Sequence, residues 1–257
     1  MRKLWTHDEL VLTLDLYYRL PFGRLVRTTP EVIELANLIG RSNNAVALRL
    51  VNFAACDPVI IESGRTGMVG GISICKPIWN EYDGQKEKLF YEAQQIKASL
   101  KNCTVEKLLE IDETELQGLD RKAYVKQRVN QQAFRSMILN IYDNHCAITG
   151  INVPELLVAS HIIPWAENTE ERLNPENGLC LSSLYDKAFD RGYISLDNQY
   201  RVIIAEKLKL YHREPFYEKH FASIEGTTIH LPEYHRPNKT FLEWHRDMIF
   251  NQGYEVY

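Results

Sequence analysis

The segment between residues 146 and 192 constrains the fold more than any other part of the chain. Two apolar runs, 146–149 and 156–161, have the composition and length of short strands. A loop and then a helix follow, and the helix should end at Gly192, a residue suited to a left-handed helix C-terminus. The sequence therefore predicts the order strand, strand, loop, helix, and an α+β fold for the chain.

The predicted helix carries two aspartates four residues apart. Asp186 and Asp190 face the same way, because residues at this spacing lie on one side of a helix. Their charges repel each other, and Asp190 lies in the last turn, where the helix dipole disfavours a carboxylate. A bound cation would explain both placements, and oxygen ligands suit Mg²⁺ or Mn²⁺ better than Zn²⁺. The alternative is that Lys187 and Arg191 neutralise the two aspartates.

His161 stands at the end of the second predicted strand, in the sequence VASHIIPW. Taken alone, a histidine in such a place is more often a buried structural residue than a functional one. Its ordinary pKa of about 6.5 also suits it to take up a proton at neutral pH. The choice between the two roles depends on the polar residues that follow, Asn177 and the two aspartates.

The sequences CAITG, ASHIIPW and NPENGLCLSSLYDKAFDRG, taken in this order, resemble the HNH endonuclease domain, which has a ββα-metal fold. They are most similar to the branch found in bacterial restriction and defence nucleases, and the preceding RVNQQAFRSMILNIYDNHC also matches that branch. The resemblance covers roughly residues 129–198. It depends on a histidine at a strand end, an Asn-x-Leu loop and acidic residues on the helix, all in the family order.

The resemblance implies a role for each residue of this group. His161 matches the general base, which takes a proton from the water that attacks the phosphate. Asn177 matches the central asparagine, which either braces the loop that carries the histidine or helps to bind the metal. Asp186 and Asp190 match the helix positions that hold one divalent ion, Mg²⁺ or Mn²⁺.

Two departures from the family pattern concern metal binding. Many HNH enzymes have an aspartate or histidine directly before the general base as a metal ligand, whereas this chain has Ser160, a much weaker ligand. Some members also carry two Cys-x-x-Cys pairs that bind a structural zinc. Here Cys146 is followed at that spacing by Thr149, so we expect no structural zinc.

The beginning of the chain predicts three short helices. Thr6 and Glu9 have the spacing of a capping box at the start of the first helix. Pro30 begins the second helix and Gly40 ends it. Ser42 caps the third. Three short helices with a tight turn between the last two form a helix-turn-helix-like unit.

The sequence LIGRSNNAVALRLVNF resembles the second half of a Myb/SANT-like tri-helical DNA-binding domain. The resemblance implies that Arg41, Asn43, Asn44 and Arg49 lie on or near the helix that faces DNA. The alternative is a small helical domain that contacts other proteins.

We expect three regions along the chain. Residues 1–82 form the helical domain, with a hairpin or loop between residues 59 and 79, where glycines and β-branched residues are concentrated. Residues 83–120 form a helical and acidic connector. Residues 121–257 form the nuclease domain, in which a mixed α/β extension of two strands and a helix follows the core.

The net charge of −4 shows no overall preference for nucleic acid, but the basic residues are unevenly placed. Between residues 121 and 142 the chain has lysines and arginines and no acidic residue. Such a stretch is either a solvated helix face or a stripe that follows phosphates. In the second interpretation Lys126, Arg128 and Arg135 contact DNA, as does Arg191 on the helix of the two aspartates.

The N-terminus has no signal-like apolar stretch and the chain has no membrane-length apolar run, so we expect a cytoplasmic protein with no membrane partner. The leading hypothesis is a metal-dependent DNA endonuclease that acts on double-stranded DNA, with a homodimer as the form that cuts both strands. One alternative is a non-cleaving DNA-binding protein that retains the HNH fold, which Ser160 favours. The other is a nuclease that acts on RNA or on single strands.

Overall fold

The computed structural model describes residues 4–65, 67–111 and 120–251 of the chain. The chain forms two compact units, residues 1–133 and 134–257. The first unit is helical, and the second combines two small antiparallel sheets with helices, so the fold is α+β as predicted. The predicted connector includes residues 112–119, which lie outside the described residues.

The first unit begins with three helices at the predicted places. Helix α1 is His7–Arg19, α2 is Pro30–Ile39 and α3 is Asn43–Ala54. The capping box of α1 is formed: Glu9 N donates to the Thr6 hydroxyl at 3.3 Å, and Thr6 N donates to the Glu9 carboxylate at 3.0 Å. Gly40 ends α2 in the left-handed conformation, with φ at 64°, and this allows the tight turn into α3.

The hairpin considered for residues 59–79 is wrong, because most of the described residues there are helical, and the loop alternative applies only to residues 63–65 and 67–68. Helix α4 is Pro58–Glu62, a 3-10 turn is Val69–Gly71, and α5 is Ile72–Glu81. Asp57 caps α4 by accepting from Val59 N at 2.9 Å. Gly67 lies against α3, where a Cβ atom would come within 2.6 Å of the Val51 carbonyl oxygen. This glycine therefore allows close packing and does not form a β-turn.

Three further helices follow in the first unit. Helix α6 is Lys86–Leu100, as predicted, α7 is Val105–Leu108, and α8, Arg121–Ile141, ends in the second unit. The buried Asp15 carboxylate of α1 accepts from Arg19 at 2.8 Å and from Lys97 of α6 at 2.7 Å. Burial raises the pKa of Asp15, but the two cations outweigh it and hold the pKa below its usual value. This charged group joins α6 to α1.

The second unit contains a two-stranded antiparallel sheet and the helix that follows it. Strand β1 is Leu157–His161, β2 is Gly178–Ser182 and α9 is Ser183–Asp190. In the register of this sheet, His161 at the end of β1 lies opposite Gly178 at the start of β2. Because α9 begins directly after β2, the sheet and the helix form one continuous ββα motif.

The strand predicted at residues 146–149 is not formed, and β2 is the second strand of the motif instead. Gly150 N donates to the Cys146 carbonyl at 2.8 Å, which closes a tight turn. Ala147 N donates to the Cys180 carbonyl of β2 at 2.7 Å. Cys146 and Ala147 are buried. The apolar run therefore packs against the sheet and does not extend it.

The two strands and the helix predicted after the core are present. Strands β3, Ile194–Leu196, and β4, Val202–Ile204, pair antiparallel; α10 is Glu206–Lys209, α11 is Pro215–His220 and α12 is Lys239–His245. Helix α12 continues as a π-helical turn, Arg246–Phe250. Among the described residues, no helix is both long and apolar enough to span a membrane.

Candidate active site

One ring nitrogen of His161 forms a hydrogen bond, and the other has no hydrogen-bond partner among the described residues. Its Nε2 lies 3.0 Å from the carbonyl oxygen of Arg172. Because a carbonyl can only accept, Nε2 carries the proton, and the neutral ring has its lone pair at Nδ1. Within the described part of the chain, Nδ1 has no hydrogen-bond partner. Burial lowers the pKa of His161, so the imidazole is neutral at pH 7.

The ring of His161 is held between two aromatic side chains. Phe134 of α8 stacks on it with 3.7 Å between ring centroids, and Trp165 lies perpendicular to it at 5.4 Å. Gly178 makes the stack possible, because a Cβ atom there would lie 2.8 Å from the Phe134 ring and would collide with Ile138. The orientation of His161 thus depends on the packing of the sheet against the end of α8.

Asn177 braces the loop that follows His161. Its Oδ1 accepts from Ile163 N at 2.8 Å, and its Nδ2 donates to the carbonyls of Ile163 and Glu171, both at 3.2 Å. Its backbone carbonyl also accepts from Ile162 N at 3.0 Å. The side chain is buried, and both amide hydrogens are used within the loop. Of the two roles that the resemblance implied, this geometry is that of the brace.

Asp186 and Asp190 line a cleft beside His161. Partial burial raises the pKa of both carboxyls, although Asp190 keeps an exposed face, and the neighbouring charge of Asp186 contributes to raising that of Asp190 to about 6. Lys187 and Arg191 oppose the shift of Asp190, but in the described residues neither forms an ion pair with an aspartate. The ion pairs that would neutralise the aspartates are therefore not formed, and two carboxylates with a disfavoured negative charge face the cleft.

A buried hydroxyl in the same cleft has no close hydrogen bond. Ser160 is 2% exposed, and its Oγ has no hydrogen-bond partner among the described residues, although it is near enough to Asp186 to lower the pKa of that carboxyl. Two carboxylates and a hydroxyl are oxygen donors of the type that Mg²⁺ and Mn²⁺ prefer. The donor set therefore fits a divalent ion.

The site does not enclose a metal ion fully. The described residues bring together no group of three or more His, Cys, Asp or Glu side chains that could hold one. Mg²⁺ usually keeps several waters and takes only one or two protein carboxylates, together with oxygens of a phosphate substrate. The pair of aspartates meets that requirement.

Some of the residues that line the cleft were not predicted as site residues from the sequence. It has a volume of about 480 Å³ and is lined by Val158, Ala159, Ser160, His161, Pro164, Trp165, Asp186, Lys187, Asp190, Arg191, His245 and Ile249. Trp165 lies close to the histidine along the chain, and a tryptophan in a loop is a weak signal of its own. His245 and Ile249 come from the C-terminal helix, far along the sequence, and only the folded chain brings them here.

His245 is a second histidine of the cleft wall, but both of its nitrogens are occupied. It is completely buried, and its ring stacks on Phe189 with 3.7 Å between centroids. Its Nε2 lies 3.1 Å from the Phe189 carbonyl and therefore donates, and its Nδ1 accepts from the Ser195 hydroxyl at 2.9 Å. His245 is thus not available as a base.

The burial of His245 predicts a pH dependence of stability. Burial lowers its pKa to about 4, whereas in the unfolded chain we expect about 6.5. As the pH falls through this window, the unfolded state binds a proton that the folded state does not. The contribution of His245 to the free energy of unfolding should decrease by about 2 kcal/mol between pH 7 and pH 5. Asp190 acts in the opposite direction, because its raised pKa favours proton uptake by the folded state.

Urea unfolding of the wild type and of His245→Gln at pH 7 and pH 5 separates these two effects. The variant retains Asp190 and lacks the histidine. Between the two pH values, the wild type should therefore lose about 2 kcal/mol more stability than the variant. An equal pH dependence in the two proteins would show that the folded state accepts a proton on His245.

Arg41 and Arg49, predicted to contact DNA, are engaged inside the first unit. Arg41 forms a buried ion pair with Glu9 at 2.6 Å, and its guanidinium lies 4.2 Å from the centroid of Trp5. Arg49 is 8% exposed; its guanidinium lies 4.9 Å from the same ring and donates to the Gly71 carbonyl at 3.3 Å. Contact with a phosphate would require each side chain to leave these partners, so the geometry does not favour the predicted role for either arginine.

Two of the three basic residues predicted on α8 also have partners. Lys126 forms an ion pair with Glu87 at 3.5 Å. Arg135 donates to the carbonyls of Leu157 and Pro154, at 2.6 and 2.8 Å, and so holds the chain at the start of β1. These contacts are structural, and they reduce the part of the basic stretch that is available to DNA.

Four of the residues predicted to contact DNA remain available. Asn43 is half-buried and Asn44 exposed in the first turn of α3. Arg128 of α8 is exposed, and Arg191 is exposed at the rim of the cleft. Neither arginine side chain has a partner among the described residues.

Part of the second unit matches a known family. Residues 146–197 match the HNH endonuclease family. The matched segment contains His161, Asn177 and both aspartates, whereas α12 and the π-helical turn lie outside it. No curated protein matches the chain. The family name indicates a nuclease, and hence a nucleic-acid substrate.

Proposed function

We propose that this HNH endonuclease domain hydrolyses phosphodiester bonds of double-stranded DNA with one Mg²⁺ or Mn²⁺ ion. The observation that carries the proposal is the state of His161, a neutral imidazole whose Nδ1 has no partner in the described residues. It lies in the same cleft as two carboxylates that lack an ion pair. A general base beside a cation site is the combination that hydrolysis with a single metal ion needs.

In this proposal His161 accepts a proton at Nδ1 from the attacking water. The Arg172 carbonyl keeps the other proton on Nε2 and so fixes the tautomer. When Nδ1 has taken up its proton, the same carbonyl stabilises the imidazolium, because a hydrogen bond from a charged donor is stronger. Asn177 acts as a positioning residue by holding the loop after His161 closed.

Asp186 and Asp190 would hold the ion, with the Ser160 hydroxyl as a weaker third oxygen. A bound divalent cation supplies stabilisation of the charge on the phosphate and on the leaving 3′ oxygen. Both aspartates ionise more readily beside a cation, which offsets the effect of burial on their pKa. Lys187 of α9 and Arg191 directly after it are exposed at the cleft and are available to contact neighbouring phosphates.

The test is incubation of the purified full chain with supercoiled plasmid in Mg²⁺, Mn²⁺ or EDTA. We expect nicked or linear plasmid with either ion and none with EDTA. Cleavage that continues in EDTA would contradict the metal role of the aspartates. If the protein binds the plasmid and leaves it intact, the result would favour a non-cleaving DNA-binding protein. If it cleaves only RNA or single strands, the result would favour a nuclease for those substrates.

We extend the proposal to a role in restriction or another defence system, which the resemblance of residues 129–198 to that branch supports. A homodimer follows from the same proposal, because one HNH site cuts one strand and paired cuts across a duplex need two copies.

The exposed start of α3 is the part of the first unit that we propose for DNA contact. Asn44→Asp should weaken DNA binding roughly threefold at physiological salt, because the added charge repels phosphates. An aspartate in the first turn of a helix is favourable to the helix dipole, so the variant should fold normally. The matched control is Ser73→Asp, at an exposed position in the first turn of α5. Equal losses in the two variants, or no loss in either, would favour a domain that contacts proteins.

A further inference from the structure

We propose that the C-terminal helix, α12 with its π-helical turn, is a positioning element of the active site, and that His245 is its principal positioning residue. Neither α12 nor the π-helical turn belongs to the matched HNH segment. The inference rests on the proposed function, because it concerns the placement of the aspartates that would bind the metal.

The start of α12 is bound to the turn that contains Asn177. Asn238 caps the helix by accepting from Thr240 N at 2.9 Å. Its backbone N donates to the Glu176 carbonyl at 3.0 Å, and its side-chain amide donates to the Glu176 carboxylate at 3.4 Å. Glu176 directly precedes Asn177, which braces the loop after His161. The first turn of α12 is therefore joined to the half of the site that holds the base.

The end of α12 is bound to the last turn of α9. His245 Nε2 donates to the Phe189 carbonyl at 3.1 Å, and the two rings stack. This carbonyl lies in the last turn of α9 and also accepts from Gly192 N at 2.8 Å. It belongs to the residue directly before Asp190. Together with Gly192 N, His245 therefore holds the backbone from which the Asp190 side chain projects.

The packing at Gly192 shows that the C-terminal helix fits closely against the end of α9. A Cβ atom at Gly192 would lie 2.5 Å from the Ile249 carbonyl oxygen, and its φ of 62° also favours glycine. Arg246 donates to the Leu196 carbonyl and to Asn198 Oδ1, both at 2.7 Å. Several independent contacts thus hold the helix in one place.

His245 acts through this geometry and not by proton transfer, because it is completely buried and both ring nitrogens are occupied. Movement of the end of α9 would change the position of Asp190 relative to Asp186. Loss of a group that hydrogen-bonds a metal ligand typically weakens metal affinity 10- to 100-fold, and His245 acts one residue further away, so the lower end of this range applies. We therefore expect His245 to affect ion binding more than its contribution to folding alone would explain.

The experiment measures Mn²⁺ binding by calorimetry on the metal-free full chain. His245→Phe keeps an aromatic stack on Phe189 and removes the hydrogen bond, and it should raise the Kd about tenfold. His245→Gln keeps a donor near the position of Nε2 and should stay within about threefold of the wild type. The matched control is Leu242→Ala, completely buried on the same helix. It should lower the thermal midpoint at least as much as His245→Phe and leave the Kd unchanged.

The outcomes separate this inference from the proposed function. A wild type that binds no Mn²⁺ would contradict both. Suppose instead that the wild type binds Mn²⁺. If the variants His245→Phe and Leu242→Ala then change the Kd for Mn²⁺ equally, only the inference about His245 is overturned. Should His245→Phe fail to fold, Arg246→Met at a half-buried position provides a second test, for which an unchanged Kd would also overturn the inference.

Discussion

Replacing His161 with alanine should lower the rate of plasmid cleavage by at least about 100-fold, the usual scale for the loss of a general base. Two histidines line the cleft, and only His161 has a ring nitrogen without a partner among the described residues. DNA affinity should stay the same, because phosphate contacts come from other side chains. The measurements are single-turnover cleavage in Mg²⁺ and DNA binding in EDTA.

The control for this variant is His212→Ala, an exposed histidine of the same unit, which should cleave at the normal rate. A pH profile provides an independent check. Burial lowers the pKa of His161, so the wild-type rate should fall only below the ordinary range of histidine, as Nδ1 becomes protonated. The residual rate of His161→Ala should lack this dependence. Cleavage by the variant at the wild-type rate would exclude His161 as the base.

Replacing Asp186 or Asp190 with asparagine should lower cleavage on the order of 100-fold at a fixed Mg²⁺ concentration, by removing a charged oxygen ligand. The Kd for Mn²⁺ should rise by at least about tenfold. An excess of metal should restore part of the activity, which distinguishes weakened binding from a lost chemical group.

The same two variants should be slightly more stable than the wild type without metal. Burial raises the pKa of both carboxyls, so the folded state disfavours their ionised forms at neutral pH. Asparagine removes one of two like charges, and the free energy of urea unfolding should rise by about 0.5 kcal/mol. The control is Asp247→Asn, at an exposed position. Variants that unfold earlier and cleave normally would show that the aspartates are structural.

The sequence predicted the helix limits well because neighbouring residues determine them. The capping box of Thr6 and Glu9, the left-handed Gly40 and the left-handed Gly192 are all formed as predicted. Each depends on a few consecutive residues and their backbone conformation. The chemistry of a helix end is therefore present in the local sequence.

The two errors in secondary structure have a common physical cause. Glycine, β-branched and apolar residues indicated a hairpin or loop at residues 59–79 and a strand at residues 146–149. In the folded chain Gly67 serves close packing against α3, and Cys146 and Ala147 are buried beside β2. Burial against a distant element produces the same composition as strand pairing, so local patterns do not distinguish them.

The sequence predicted which residues form the candidate site, but not their tautomers or their hydrogen-bond partners. Resemblance to the HNH family indicated His161, Asn177 and the aspartates, which lie in the matched segment. The tautomer of His161 depends on the Arg172 carbonyl, and the contribution of His245 depends on a helix far along the chain. The engagement of Arg41 by Glu9 and Trp5 is likewise a contact between separate elements.

The junction between the C-terminal helix and α9 has a consequence during protein synthesis. Residues 146–197 are synthesised before residues 238–250, and at usual elongation rates roughly 2 to 10 seconds separate the two segments. In that interval the nascent chain has the base and both aspartates but lacks the helix that holds Asn238 against Glu176 and His245 against Phe189. If the proposed positioning role holds, the order of synthesis would therefore delay formation of the complete metal site until the C-terminal helix has been made.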